Sequence, residues 1–235
     1  RYILHRLRQW DVISANRVDY FIANSQHTQS RIWRCYRRQA KVIYPPVDLK
    51  KFEFRAEKSD FYLTISRLVS YKQICLIVKA FNKLKKPLVI IGSGSQLDEV
   101  SQLAESNVRV LGWQPHNVVK EYIEKAKAFV YAACEDFGIA LVEAQACGTP
   151  VIAYRKGGAL ETVKDIRHHP DGTGLFFDMQ QPQALIEAVE EFEKLQTKIE
   201  PENCRLQAAK FSPTIFKQSY LKYVEDCYQK WKNSN

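Results

Sequence analysis

From Ser59 onward the chain alternates short apolar runs with amphipathic stretches, and this alternation limits the possible folds more than any other feature. The apolar runs lie at 61–65, 88–91, 108–111, 128–132, 151–154 and 175–177. Between them, helical periodicity appears at 74–84, 96–105, 117–125, 139–146 and 160–163. Strands joined by connections long enough for a helix pair in parallel through right-handed crossovers. The expected fold is α/β: a doubly wound, six-stranded parallel sheet in a Rossmann-like domain.

Ahead of this block, residues 19–24 read as a strand, 26–38 as a helix and 41–44 as a second strand that Pro45-Pro46 ends. Two consecutive prolines force extended backbone and mark a domain boundary. Residues 1–47 are expected to be the last elements of a preceding α/β domain with its linker, and 48–200 the Rossmann-like domain. Residues 201–235 are expected to be C-terminal helices packing back toward the preceding domain, with helical stretches at 202–210 and 213–231 after one at 183–195. The chain opens on Arg1 and holds one Met, at position 179, so its start reads as internal to a longer protein.

At 235 residues and 46% hydrophobic content the chain can bury at least one full core. It has no run of 18 or more apolar residues to span a membrane, and its first residues lack the apolar heart of a signal peptide. Cysteines at 35, 75, 134, 147, 204 and 227 are scattered without a C-x-x-C pair. That argues against a zinc cage or a disulfide framework and for a reducing cytoplasm. The net charge of +9 is uneven: residues 1–41 carry eight Arg and one Lys against two Asp, a net +7. Arg6, Arg8, Arg31, Arg34, Arg37 and Arg38 suit an anionic membrane surface, which would make the protein peripheral on the inner face, or they solvate a helix face. No nucleic-acid module accompanies them, so nucleic acid is not the expected partner.

The stretch from Glu135 to Glu143 carries the clearest chemistry. Two carboxylates eight positions apart flank an apolar run, and a tight Phe137-Gly138 turn follows the first. Glu135 ends the buried strand at 128–132, and Glu143 is expected about two turns into the helix that Gly148 and Pro150 stop. The loop between them aims free N–H groups and the positive end of a helix dipole into the cleft where open parallel sheets bind ligands. An anionic ligand bearing hydroxyls suits such a site.

The second informative segment runs from Thr64 to Lys72 and delivers Arg67 and Lys72 to the same edge. A guanidinium grips phosphate through paired hydrogen bonds, and an ammonium acts as a mobile point charge. Together they can neutralise a diphosphate, or they belong to an ordinary basic loop. The chain has no D-x-D pair to hold a divalent metal on a diphosphate, so fixed cations and a helix N-terminus would take that role. Gly92-Ser93-Gly94 lacks the third glycine of a dinucleotide fingerprint and reads most simply as a turn. Trp113, after Gly112, flanks a nucleobase or lies on the surface as an amphipathic residue. Gly157-Gly158 has a turn reading and a functional one, and no histidine, His116 included, is assigned a catalytic role.

Together these segments resemble the family-4 retaining glycosyltransferases of the GT-B fold. Ser66-Arg67-Leu68 with Lys72, Gly92-Ser93-Gly94, Leu111-Gly112, Glu135-Asp136-Phe137-Gly138 with Glu143-Ala144, and Gly148-Thr149-Pro150 stand in the family's order. The overall pattern is similar to bacterial mannosyltransferases of surface-polysaccharide assembly. The resemblance implies that Arg67 and Lys72 hold a donor diphosphate, with Glu135 on the transferred sugar. It implies further that the amides of Phe137, Gly138 and Ile139 line the sugar–phosphate pocket, Glu143 accepts from ribose hydroxyls, and Leu111 to Trp113 borders the base. The implied reaction moves a sugar, with retention and without metal, from a UDP- or GDP-sugar to a glycan or lipid-linked acceptor.

The family builds its cleft from two Rossmann-like domains, and this sequence reads as the second plus the end of the first. Two other functions stay open: a nucleotide-sugar binding module without turnover, and a basic membrane or nucleic-acid adaptor on an α/β scaffold. The set Arg67, Lys72, Glu135 and Glu143 favours donor binding over the adaptor.

Overall fold

The computed structural model describes residues 2–234, in two compact units. One comprises the residues up to Pro46 together with those from Pro213 on, and the other is Val47–Ser212.

In the first unit, α1 (Tyr2–Ala15) is followed by β1 (Phe21–Ala23), α2 (Gln26–Tyr36) and β2 (Ala40–Val42). The two strands pair in parallel with Phe21 opposite Ala40, and α2 is the crossover between them. Ser25 starts α2 by accepting the Thr28 amide at 2.9 Å, which satisfies a donor the helix itself leaves open. Arg38, grouped by sequence with the surface charges, donates to the carbonyls of Ala15, Val18 and Asp19 and so clasps the end of α1. Along α1, Ile3, Leu4, Leu7, Trp10 and Ile13 are all more than half exposed.

In the second unit, β3 (Tyr62–Ile65), β4 (Leu88–Ile91), β5 (Val108–Val110), β6 (Ala128–Tyr131), β7 (Val151–Tyr154) and β8 (Gly174–Phe177) form one parallel sheet in the order β5-β4-β3-β6-β7-β8. The crossovers contain α3 (Ile74–Leu84), α4 (Leu97–Leu103), α5 (His116–Lys125), α6 (Ile139–Ala146) and α7 (Ala159–Thr162). The helices α8 (Pro182–Leu195) and α9 (Pro201–Ala209) follow, and α10 (Pro213–Ser234) belongs to the first unit. This is the doubly wound sheet expected from the alternation, and β4, β7, α3 and α6 have the bounds read from sequence.

Every residue of β4, β6 and β8 is buried, as in a parallel sheet covered on both faces. Tyr62 packs edge-on against Phe81 and Phe192, with ring centroids 5.1 and 6.2 Å apart. The stretch 201–235, expected to act as one block, divides instead. Buried Cys204 and Ala208 seat α9 in the sheet unit, where it packs against α6, and the unit ends at Ser212. Arg205 on α9 ties the chain after the double proline to the same helix, donating to the carbonyls of Leu49, Phe52 and Ala146. No described helix is long and apolar enough to cross a membrane.

At the amino-terminal edge of the sheet, Glu193 accepts from the Tyr62 hydroxyl, from Lys86 at 3.0 Å and from Lys127 at 3.3 Å. Burial alone would raise this carboxyl; the Tyr62 hydroxyl and the two lysines together hold it down at about 2. A depressed acid adds stability that is complete above its ordinary value and is lost as pH falls through the folded one. Glu193→Gln is expected to lower the unfolding midpoint at neutral pH, with the gap to wild type closing between pH 4.5 and about 2. Thermal unfolding across that range checks this, and a gap that stays constant would refute it.

Candidate functional site

The chain winds outward from β3 through β4 to β5, then returns to β6 on the other side of β3. At that reversal β3 and β6 share only two rungs, Tyr62 with Ala128 and Leu63 with Phe129. Beyond Leu63 the strands part, which opens a crevice at their carboxyl ends, the place where doubly wound sheets take ligands. The loop after β3 carries Arg67 and Lys72, and the loop after β6 carries Glu135.

Neighbouring turns hold each loop. The amide of Leu68 donates to Ser93 O at 2.9 Å, and that of Gln96 returns to Leu68 O at 2.9 Å. A Cβ on Gly92 would lie on top of the Ser66 carbonyl, so glycine is there for the close approach of two backbones. The Glu135 loop is fixed in the same way. Glu135 bridges Gly157 as an isolated rung, Gly158 N–H donates to Glu135 O at 2.8 Å, and a Cβ on Gly158 would collide with the Phe137 backbone. Of the two readings of Gly157-Gly158, this geometry gives direct support to the structural one. Phe137 anchors the loop by packing edge-on against Phe211 at 5.3 Å.

The structure brings two of the expected residues into contact. The Lys72 ammonium forms an ion pair with Glu135 and donates to Tyr131 Oη at 3.0 Å. Only 12% of the Lys72 side chain and 25% of that of Glu135 is exposed. The ammonium also lies 5.3 Å from the ring centroid of Tyr71 and 5.5 Å from that of Tyr131. Burial first, then the Glu135 carboxylate, pushes the Tyr131 phenol far up, so it stays protonated. Arg67 is exposed, and its side chain makes no ion pair among the described residues.

Gly138, at φ +85°, turns the chain into α6, and no side chain caps that helix start. Because α6 begins at Ile139, Glu143 sits about one turn into it rather than two. Burial pushes its carboxyl up, while His116 and Lys51 pull it back. His116 begins α5 and meets Phe52 edge-on at 6.3 Å. The Leu111 to Trp113 turn is held by Gln114 Nε2 on Leu111 O and by Gly92 N–H on Gly112 O, both at 2.8 Å; Trp113 is 72% exposed.

Sequence reasoning missed Tyr131, whose signal was being the one titratable residue of β6 and its last. It also missed Lys58 and Arg205, which donate to the carbonyls of Cys147 and Ala146 at the end of α6. No pattern near either residue points to the other.

A family model described as "Glycosyl transferases group 1" matches residues 48–211. An N-acetylgalactosamine-N,N'-diacetylbacillosaminyl-diphospho-undecaprenol 4-alpha-N-acetylgalactosaminyltransferase of Campylobacter jejuni is 28% identical over 204 residues, 80% of this chain and 54% of its own length. A GDP-mannose-dependent alpha-(1-6)-phosphatidylinositol monomannoside mannosyltransferase of Mycolicibacterium smegmatis is 30% identical over 186 residues, 64% of this chain and 48% of its own. The chain thus spans about half the length of these curated relatives. Among solved structures, Anabaena HepE in complex with UDP-glucose matches with a TM-score of 0.80 at 22% identity, over 93% of this chain and 67% of that one. Sucrose-phosphate synthase from Thermosynechococcus elongatus matches at 0.77 and 23%, over 91% of this chain and 59% of that one. The likeness is one of fold: the sheet unit is that of a GT-B C-terminal domain.

The two glycine environments set up a direct comparison. A methyl at Gly158 meets the Phe137 backbone, whereas one at Gly112, at φ +69°, meets open space. With three backbone atoms inside contact distance, Gly158→Ala is expected to cost about 3 kcal/mol or more of overpacking, and Gly112→Ala only the roughly 1–2 kcal/mol of a left-handed residue. Denaturant unfolding measures both. A Gly158→Ala loss no larger than that of Gly112→Ala would show that the Glu135 loop is not wedged as described.

Proposed function

This chain belongs to the group 1 glycosyl transferases, and from that premise we propose that its Val47–Ser212 unit binds a nucleotide-diphosphate sugar for retaining transfer to a glycan or lipid-linked acceptor. The observation that carries this reading is the meeting of Lys72 and Glu135 at the winding reversal, with Arg67 exposed on the same loop as Lys72.

When the bond between sugar and phosphate breaks, negative charge grows on the departing diphosphate. Arg67 grips it through paired N–H groups, and Lys72 acts as a point charge. The amides of Phe137, Gly138 and Ile139 and the positive end of α6 add to a field that is in place before reaction. These fixed charges take the electrostatic role of a divalent ion, so the reaction needs no metal. Glu135 accepts from the transferred sugar, Glu143 from the ribose hydroxyls, and Leu111 to Trp113 borders the base. The departing phosphate takes the acceptor's proton, and the acceptor enters on the face the phosphate leaves, which gives retention. The base is uracil or guanine and the sugar a hexose such as mannose, in keeping with the donor names of the similar proteins. The half-length match favours a second reading in which this chain alone binds donor without turning it over.

Arg6, Arg8, Arg31, Arg34 and Arg37 are exposed, as are Trp10 and Trp33. This mixture suits the surface of an anionic membrane on the cytoplasmic side, where a lipid-linked acceptor would lie.

Two experiments test the proposal. Calorimetry with UDP and GDP is expected to show binding that survives chelator, and Arg67→Ala to lose about 1.5–3 kcal/mol. Glu143→Ala should weaken nucleoside diphosphate and nucleotide sugar alike, while Glu135→Ala should impair the sugar donor far more than the diphosphate, for which Lys72 keeps its Tyr131 acceptor. Binding abolished by chelation, or equal effects of the two glutamate changes, would overturn these roles. For the membrane, the protein is expected to sediment with phosphatidylglycerol vesicles and to be released as salt rises. Sedimentation indifferent to lipid charge removes that part of the proposal.

A further inference from the structure

Lys72 has three N–H donors on a stem with four rotatable bonds, and a ligand gains most from such a group when it is already held in place. One donor goes to Glu135 and a second to the Tyr131 hydroxyl, which leaves the third for a ligand. Of the two tyrosines beside the ammonium, Tyr71 is 57% exposed and offers only its ring. Tyr131 is 4% exposed, is the last residue of a buried strand and stacks on Phe129 at 6.2 Å. Among the described residues it is therefore the most rigidly held partner of the ammonium. Its protonated hydroxyl accepts from Lys72 and has a proton to donate to Glu135, so it joins the cation and the carboxylate without carrying charge itself.

We propose that Tyr131 is a positioning residue that sets Lys72 and Glu135 for the donor, acting through these two side chains and touching no substrate. This rests on the proposed role of Lys72 at the diphosphate. Without the hydroxyl, the ammonium keeps the Glu135 carboxylate and the faces of two rings but loses its second acceptor, so its direction toward an incoming diphosphate is less fixed.

The test uses the whole chain in four forms: wild type, Tyr131→Phe, Lys72→Met and the double variant. Tyr131→Phe keeps the ring and its stacking and removes one oxygen. Calorimetry with UDP is expected to show binding about 5- to 10-fold weaker for Tyr131→Phe when Lys72 is present, and no further weakening in the Lys72→Met background. Equal weakening in both backgrounds, or none in either, would overturn the positioning role. A ligand-free readout separates this from the diphosphate reading. The ammonium proton–nitrogen correlation of Lys72, identified by its loss in Lys72→Met, is expected in wild type and should broaden away in Tyr131→Phe. If Lys72→Met binds UDP like wild type, the diphosphate role of Lys72 fails while the ammonium spectra still judge Tyr131. An unchanged ammonium signal in Tyr131→Phe would refute the positioning itself.

Discussion

The reversal of winding beside β3 is the constraint on which the rest of the sheet unit depends. Right-handed crossovers place helices on one face while the chain winds outward and on the other face after it turns back. At the reversal no single crossover covers both strand ends, and β3 and β6 separate after two rungs. Lys72 comes from one side of that gap, Glu135 and Tyr131 from the other, and they meet across it. The pair is largely shielded from water, so its attraction is strong, but each ion would be costly without the other. The Tyr131 hydroxyl reduces that cost by giving the ammonium a second acceptor.

The same concern for unpaired groups explains how α6 is mounted. Its last carbonyls are occupied by cations: Arg205 on Ala146 O, and Lys58 on Cys147 O at 2.9 Å. Lys58 also donates to Glu124 O and Thr149 Oγ1, at 2.9 Å each, although burial pulls its ammonium down to about 8. Positive charge at the carboxyl end of a helix offsets the negative end of its dipole. The amino end, with no side-chain cap, keeps its positive field for whatever approaches Gly138 and Ile139. Arg205 further joins α6 to the segment Leu49 to Phe52, so the helix that bears Glu143 cannot shift independently of it.

Much of this was legible from residue order. Apolar runs bounded by turn residues placed all six strands to within a residue or so, because a strand buried on both faces needs continuous apolar sequence. Glu143 lies one turn into α6 and not the expected two, because the eight residues from Glu135 include the non-helical turn through Gly138. The boundary after residue 200 was misplaced for a related reason. Pro201 opens a helix just as it would end a linker, and only the burial of Cys204 and Ala208 shows which unit α9 joins.

By itself the sequence determined the α/β class, the parallel sheet and the spacing of carboxylates and cations along the cleft edge, all of which follow from local periodicity and short-range turns. Tertiary structure alone decided which of those groups meet. Lys72 lies 59 residues from Tyr131 and 63 from Glu135, and Arg205 lies 59 from Ala146. Contacts over such separations depend on strand order and on the close approach of loops at Gly92 and Gly158, and these are set by how the whole sheet packs.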